Sequence, residues 1–203
     1  SIGNVDAGRG NSTQAATEPD SRLRILEAPD KLGARGCCRQ DPSLQQCEPG
    51  AMAAVFLAER DLAARLPASL EIAAVNAPSI SVVAGPSKED ERFCAALDAE
   101  GVGTQPIDTS HAFHSRMIEP ALPEFARVLA GVALAPPKVP VISNATGRPL
   151  SDGQATDPRY WADHIRNPVR FSDGVAHLRA LPHPAFVELA PGVRGLVHVS
   201  EMA

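Results

Sequence analysis

Two histidines, His111 and His114, lie three positions apart in a segment that also contains Asp108, Thr109 and Ser110. The segment follows an apolar stretch typical of a strand, and a strand end is where a rigid scaffold can present an imidazole. Histidine is the commonest general base for activating a hydroxyl or thiol nucleophile. The pattern therefore indicates acid–base chemistry, although a histidine beside Ser, Thr and Asp is also typical of a hydrogen-bonded structural position.

The composition indicates a globular protein without a nucleic-acid partner. The chain has 203 residues, of which 44% are hydrophobic and 21% charged, enough for one ordinary domain or two small ones. Its net charge is -5, and Lys and Arg are scattered among acidic residues. No apolar run reaches the roughly 18 residues of a membrane span, and the first residues lack both Met and a signal peptide's apolar centre. We expect a cytoplasmic piece of a longer chain, with no membrane partner.

The four cysteines predict neither a metal site nor a disulfide framework. Cys37, Cys38, Cys47 and Cys94 lack the spacing of zinc ligands and are too few to staple a chain of this length. We expect reduced thiols and no metal. The adjacent pair Cys37 and Cys38 could form a redox element, but its Gly, Arg and Gln neighbours favour an exposed loop.

The organisation changes at Gly50. Residues 1–48 are polar with almost no periodicity, whereas the residues from 50 onward alternate between strand and helix patterns. The predicted elements are strand 51–57, helix 59–66, strand 70–75, a turn at Asn76–Pro78, strand 80–84, a helix capped by Ser87 and stopped by Gly101, and strand 102–107. This order is the split βαββαβ unit of a ferredoxin-like domain.

A different pattern follows the histidines. Pro120 and Pro123 make a helix over residues 118–129 start late or bend. Further predicted elements are strands 139–142 and 185–189, a helix capped by Asp157 and Pro158, and a helix carrying Phe171, Val175 and Leu178. This alternation favours α/β architecture, which the last 90 or so residues are too few to complete, so we expect part of the sheet upstream.

Several separated motifs occur in a defined order: Gly50–Val55, Val75–Pro78, Ser110–Ser115, Val141–Gly147, Asn167–Phe171 and Glu188–Gly192. Together they resemble the acyltransferase domain of modular polyketide synthases and malonyl-CoA:acyl carrier protein transacylases, from about Gly50 to Val199. The resemblance implies an α/β fold: a partial α/β-hydrolase-like large subdomain with an inserted ferredoxin-like small subdomain, and an active site in the cleft between them. Residues 1–48 would be an irregular segment, 49–108 the small subdomain and 109–203 the C-terminal part of the large one.

The resemblance also implies a reaction. In that family a Ser on a Gly-x-Ser-x-Gly turn attacks the thioester of malonyl-CoA, and a His takes the hydroxyl proton. The phosphopantetheine thiol of an acyl carrier protein then collects the acyl group. His114 matches the base, and a backbone carbonyl near Asn167–Arg170 would orient it. Malonyl-CoA, the carrier protein and neighbouring synthase domains are the implied partners, and no cofactor is expected beyond the phosphopantetheine of the carrier.

Two further positions match those that sort substrates in the family. His111 and Phe113 belong to His-Ala-Phe-His, which accompanies malonyl selectivity, whereas Tyr-Ala-Ser-His accompanies methylmalonyl. A Phe ring in the pocket leaves no room for an extra methyl group, and excluding one methyl is worth about 10- to 200-fold. The alternative is that Phe113 only packs beneath the loop.

The chain departs from the family pattern in its first 48 residues. No Gly-x-Ser-x-Gly motif occurs anywhere in the chain, although Ser1-Ile2-Gly3 could be its second half, which would make Ser1 the nucleophile. Arg22 and Arg24 lie nearest the position of the family's malonyl-binding Arg, but nothing local supports either. Residues 4–48 do not reproduce the family's helix, and a reading-frame error or retained intervening sequence would explain the break.

Two other functions fit the same fold class. One is a noncatalytic remnant, in which the ferredoxin-like unit binds a partner or small ligand and the histidines only pack. The other is a hydrolase that transfers the acyl group of a thioester to water.

Overall fold

The computed structural model describes residues 46–182 and the backbone of the short segments 188–190 and 193–194. Ser1, Arg22, Arg24 and the pair Cys37 and Cys38 therefore lie outside the described residues. So do residues 185–187 of the predicted strand 185–189. Cys47 and Cys94 are described, and both are buried free thiols.

The first half of the described chain forms one antiparallel sheet with two helices. Its elements are β1 Ala51–Val55, α1 Glu59–Ala63, β2 Glu71–Ala77, β3 Ile80–Gly85, α2 Ser87–Ala99 and β4 Thr104–Ile107. The strand order is β2-β3-β1-β4. β1 therefore lies between β3 and β4, antiparallel to both, and β2 is an edge strand.

Both faces of this sheet are covered. Ala53 and Val55 pack on one face with Leu62 of α1 and Leu97 of α2, following the two-residue alternation of a strand. The other face contacts Ala112 in the histidine segment. The strand side chains on this second face are mostly small: Ala54, Ala73, Ala74, Val82 and Ala84. Because alanine projects a single methyl group, the histidine segment approaches the sheet closely.

The second half is mainly helical. Its elements are a 3-10 helix at Arg116–Ala121, α3 Leu122–Ala130, β5 Ile142–Ser143, β6 Arg148–Pro149, α4 Asp152–Thr156, α5 Pro158–Arg166, α6 Phe171–Arg179, β7 Glu188–Ala190 and β8 Val193–Arg194. Pro120 lies inside the 3-10 helix and Pro123 in the first turn of α3, which explains the late start of the α-helix. α3 packs against α5, and α6 lies beside β2.

Several element bounds differ from the predicted ones. Ser87 is not the cap of α2: the cap position is Pro86, and no side chain caps the helix there. β4 begins at Thr104 because the N–H of Val102 is still bonded to the Leu97 carbonyl, 2.9 Å away, and closes the end of α2. Gly101, at φ +83°, allows this left-handed end.

Other corrections concern the ends of strands and helices. β1 and α1 are shorter than predicted, since β1 stops at Val55 and α1 at Ala63. β2 continues to Ala77, so the predicted turn at Asn76–Pro78 begins later. β5 covers only Ile142–Ser143 of the region around the predicted strand 139–142. Asp157 caps α5 as predicted, because its side chain accepts a hydrogen bond from the N–H of Arg159.

Candidate active site around His114

His114 lies in a tight loop between β4 and the 3-10 helix. Its φ is +58°, the left-handed region that a non-glycine residue rarely adopts and that costs on the order of 1–3 kcal/mol. Such a conformation persists only where the surroundings fix it. Ser115 supplies one such constraint: its buried hydroxyl donates to the Ala112 carbonyl at 2.6 Å and accepts from the N–H of Met117 at 3.2 Å.

The imidazole of His114 is anchored by a backbone carbonyl from a distant segment. Nδ1 of His114 lies 2.9 Å from the carbonyl oxygen of Asn167. A carbonyl can only accept, so Nδ1 carries the proton and the lone pair is on Nε2. This tautomer is the one in which Nε2 can accept a proton from a nucleophile.

The segment that carries this carbonyl is held by β2. The N–H of Val75 donates to the Val169 carbonyl at 2.8 Å, and the N–H of Val169 donates to the Ala73 carbonyl at 2.9 Å. These two bonds form a parallel bridge between β2 and the residues just after Asn167. The position of the acceptor therefore depends on the sheet and not on α5 alone.

A second imidazole, which sequence analysis missed, contacts His114. The rings of His114 and His164 are nearly perpendicular, with their centroids 6.3 Å apart, and the ring centroids of Trp161 and His164 are 6.1 Å apart. Burial, together with the proximity of His114, lowers the pKa of His164. At neutral pH His164 is therefore neutral, and it adds no positive charge beside the candidate base. The only sequence signal was the spacing of Trp161 and His164 on one face of α5.

His111 and Phe113 lie beside each other in the same loop. Their ring centroids are 6.2 Å apart in an edge-to-face arrangement, and Nδ1 of His111 lies 2.9 Å from the Ser110 hydroxyl oxygen. Phe113 is partly buried and packs against the cluster of Cys47, Ile118 and Ala121. The apolar cluster therefore holds the Phe113 ring in a fixed position. This packing agrees with the alternative that Phe113 only packs beneath the loop.

An ionic cluster, also missed by sequence analysis, joins β2 to both sides of the site. Oε1 of Glu71 accepts from the N–H of Arg116 at 3.0 Å and from its Nε at 2.6 Å. Oε2 of Glu71 lies 2.9 Å from a terminal nitrogen of Arg166, whose Nε donates to Glu119 at 2.7 Å. Although burial opposes it, hydrogen bonds from Arg116 and the charge of Arg166 lower the pKa of the Glu71 carboxyl. We call these four residues the Glu71 cluster.

The structure brings His111, Phe113 and His114 together, whereas Ser1, Arg22 and Arg24 lie outside the described residues. Within residues 46–182, 188–190 and 193–194, no group of three or more His, Cys, Asp or Glu residues is arranged to hold a metal ion. In the same part of the chain, every helix is too short or too polar to cross a membrane.

The described residues form a mixed α/β fold with a candidate histidine base, His114. The loop that carries this base packs on an alanine-rich face of the sheet, and its imidazole contacts a backbone carbonyl just after α5. The chain belongs to the acyl transferase domain family, whose model matches residues 34–194. It is 37% identical over 149 residues to a phenolphthiocerol/phthiocerol polyketide synthase of Mycobacterium tuberculosis, covering 73% of this chain and 10% of that protein. It is also 34% identical over 194 residues to the polyketide synthase GfsA of Streptomyces halstedii, covering 94% of this chain and 2% of that protein.

Solved structures give the same family. The acyltransferase domain from the second module of the salinomycin polyketide synthase superposes with a TM-score of 0.62 at 37% identity, covering 68% of this chain and 33% of that chain. The malonyl CoA-acyl carrier protein transacylase of Burkholderia pseudomallei superposes with a TM-score of 0.60 at 36% identity, covering 68% of this chain and 48% of that chain. The chain thus spans less than half of these structures and a tenth or less of the two synthases.

Proposed function

We propose that this chain is part of an acyltransferase domain that loads malonyl units from malonyl-CoA, through a seryl acyl-enzyme, onto the phosphopantetheine thiol of an acyl carrier protein. The observation that carries the proposal is the 2.9 Å contact from Nδ1 of His114 to the Asn167 carbonyl. It supports a base whose Nε2 takes the proton of a serine hydroxyl as that oxygen attacks the thioester carbon. The same nitrogen then returns the proton to the departing CoA thiolate.

The second half-reaction uses the same nitrogen in the same order. Nε2 takes the proton of the phosphopantetheine thiol, the sulfur attacks the seryl ester, and the proton returns to the serine oxygen as the ester bond breaks. A backbone carbonyl replaces the carboxylate of a hydrolase triad, so it fixes the tautomer without adding a full negative charge. No described residue other than His114 is assigned to proton transfer.

The organisation of the domain is part of the proposal. Residues 49–108 would form a ferredoxin-like small subdomain, which the βαββαβ order and the strand order β2-β3-β1-β4 support. Residues 109–203 would belong to an α/β-hydrolase-like large subdomain, and the predicted segment 1–48 lies outside the described residues except for its last three positions. Neighbouring synthase domains and a carrier protein would be the partners, as the two synthase relatives suggest.

Substrate selection is assigned to His111 and Phe113. The edge-to-face contact of the two rings and the packing of Phe113 on a buried cluster support a rigid wall beside His114. Such a wall would exclude the methyl group of methylmalonyl-CoA. Ser1 remains the candidate nucleophile within the 203 residues.

Mass spectrometry of the protein after incubation with malonyl-CoA tests the function. In a chain with a strand and an intact Gly-x-Ser-x-Gly motif before Gly50, a malonyl adduct on a serine that passes to a carrier protein supports acyl transfer, release of free malonate supports the hydrolase, and no adduct supports the noncatalytic remnant. Since the chain contains no Gly-x-Ser-x-Gly motif, we expect little adduct on the 203 residues alone. We expect an adduct when a strand and an intact motif precede Gly50.

In that chain, replacing the base provides the decisive control. We expect His114→Ala to lower the rate of acyl loading by about 100-fold or more, because general-base catalysis contributes roughly 10² to 10⁴. His177→Ala, on α6, replaces a histidine outside the loop and should load at the unchanged rate. Equal loading by the His114→Ala variant and the unsubstituted chain would refute the assignment.

A further inference from the structure

The Glu71 cluster includes residues from both segments that position the candidate base: the loop that carries His114 and the end of α5 next to Asn167. Arg116 follows His114 by two residues and begins the 3-10 helix, and Arg166 immediately precedes Asn167 at the end of α5. One carboxylate therefore connects the loop that carries the imidazole with the segment that carries its acceptor. Glu71 itself is the first residue of β2, the strand that also forms the bridge to Val169.

Glu71 forms one ion pair, with Arg166, that is less exposed than an ordinary surface pair. Its side chain is 23% exposed and that of Arg166 is 25% exposed, so solvent screens their interaction only in part. Two N–H groups of Arg116, one of them from the backbone, donate to Oε1, and a terminal nitrogen of Arg166 forms an ion pair with Oε2. Arg116 also donates to the Ala68 carbonyl at 2.7 Å, which holds its guanidinium beside the start of β2.

The contacts of Glu71 affect one distance, that between Nδ1 of His114 and the carbonyl oxygen of Asn167. A displacement of about 1 Å between the loop and the α5 terminus would stretch the bond from His114 to Asn167 beyond hydrogen-bonding range. The left-handed backbone at His114 makes such a displacement favourable unless neighbouring contacts oppose it. Removing the carboxylate would also leave Arg116 and Arg166 as two adjacent positive charges without their shared partner.

We propose that Glu71 is a positioning residue for His114: by binding Arg116 and Arg166 together, it holds the imidazole at the Asn167 carbonyl and so maintains the tautomer with the proton on Nδ1. The proposal rests on the proposed function only for the role of that tautomer in catalysis. The lowered pKa of the Glu71 carboxyl agrees with a carboxylate that stays ionised when His114 is neutral.

Nitrogen NMR of the imidazoles tests this directly in the 15N-labelled 203-residue chain. The His114 signals are assigned by their loss in His114→Gln, and the ratio of Nδ1–H to Nε2–H tautomers is measured at a pH where the ring is neutral. We expect Glu71→Gln to lower this ratio about threefold or more, as the loss of part of one hydrogen bond requires. Glu100→Gln, which breaks the exposed 2.8 Å pair with Arg65, is the matched control and should leave it unchanged.

An unchanged tautomer ratio in folded Glu71→Gln overturns the proposal. If that variant loses the dispersed spectrum of a folded protein, Arg166→Gln decides instead, because it removes the link to Asn167 and keeps the contacts of Arg116. A lowered ratio in Arg166→Gln supports the proposal, and an unchanged one overturns it. The measurement needs no substrate, so the two proposals fail separately: the expected tautomer here, together with no acyl transfer by the chain in which a strand and an intact motif precede Gly50, would refute the proposed function and leave the positioning role intact.

Discussion

At the scale of single residues, the packing of Phe113 bears on its proposed role in substrate selection. The ring lies edge-on to His111 and rests on the cluster of Cys47, Ile118 and Ala121. In the chain that carries the intact motif, we expect the double substitution His111→Tyr and Phe113→Ser to raise the relative rate with methylmalonyl-CoA, because a smaller side chain would admit the extra methyl group. The change in the ratio of kcat/KM values for the two substrates should fall within about 10- to 200-fold.

Loss of packing is the competing explanation for such a change. Leu122→Ala removes a side chain from the same apolar cluster without altering the loop that carries the histidines, so it serves as the control. If Leu122→Ala changed the substrate ratio as much as the double variant, the choice would depend on the stability of the cluster. An unchanged ratio in the double variant would show that the substrates are sorted elsewhere.

At the scale of elements, Gly50 sets how closely the histidine loop approaches the sheet. A Cβ at this position would lie 2.7 Å from the Cβ of Ala112 and 2.9 Å from both the Ala112 nitrogen and the Gly85 carbonyl oxygen. The N–H of Gly50 also donates to the Ser110 carbonyl at 3.2 Å. The start of β1 and the loop are therefore in direct backbone contact, with no room for a side chain.

We expect Gly50→Ala to lower the free energy of unfolding by about 1–3 kcal/mol, because an added methyl group forces the loop or the strand to move. Urea denaturation measures this. Gly153→Ala is the matched control, since a Cβ there meets nothing within 4 Å and the residue lies in α4. Its expected effect is neutral or slightly stabilising. Equal unfolding free energies for the two variants would contradict the close approach at Gly50.

At the scale of the whole molecule, the sequence predicts elements better than it predicts contacts between them. The order of strands and helices through residues 51–107 follows from local alternation and from Gly and Pro, and it agrees with the structure. The predicted start of β4 was wrong because a hydrogen bond outside the strand decides it: the N–H of Val102 is bonded to the Leu97 carbonyl at the end of α2. The sequence did not predict the roles of His164 and Glu71, because their partners are far away in the sequence. No local pattern indicates that the end of a helix and the end of a strand lie side by side.

The stability of the whole molecule should depend on pH through two groups that act in opposite directions. Asp90 of α2 is 5% exposed, and its Oδ1 has no hydrogen-bond partner within the described part of the chain. Burial, reinforced by the charge of Glu91, raises the pKa of Asp90 to about 6. His164 has a pKa lowered by burial and by His114. Protonation of Asp90 therefore favours the folded state, and protonation of His164 favours the unfolded state.

The sign for Asp90 follows from proton binding. Between about pH 4 and pH 6 the folded state binds more protons than the unfolded one, so the free energy of unfolding falls as the pH rises through this window. We expect Asp90→Asn to be more stable than the unsubstituted chain by about 1–3 kcal/mol at neutral pH, with the difference shrinking towards about pH 4. Urea denaturation across the window measures it, with Asp61→Asn, an exposed aspartate of α1, as the control. If the difference in unfolding free energy between Asp90→Asn and the unsubstituted chain did not vary with pH, the Asp90 carboxyl would be solvated in solution. Helix α2 would then pack less tightly on the sheet than the burial of Asp90 indicates.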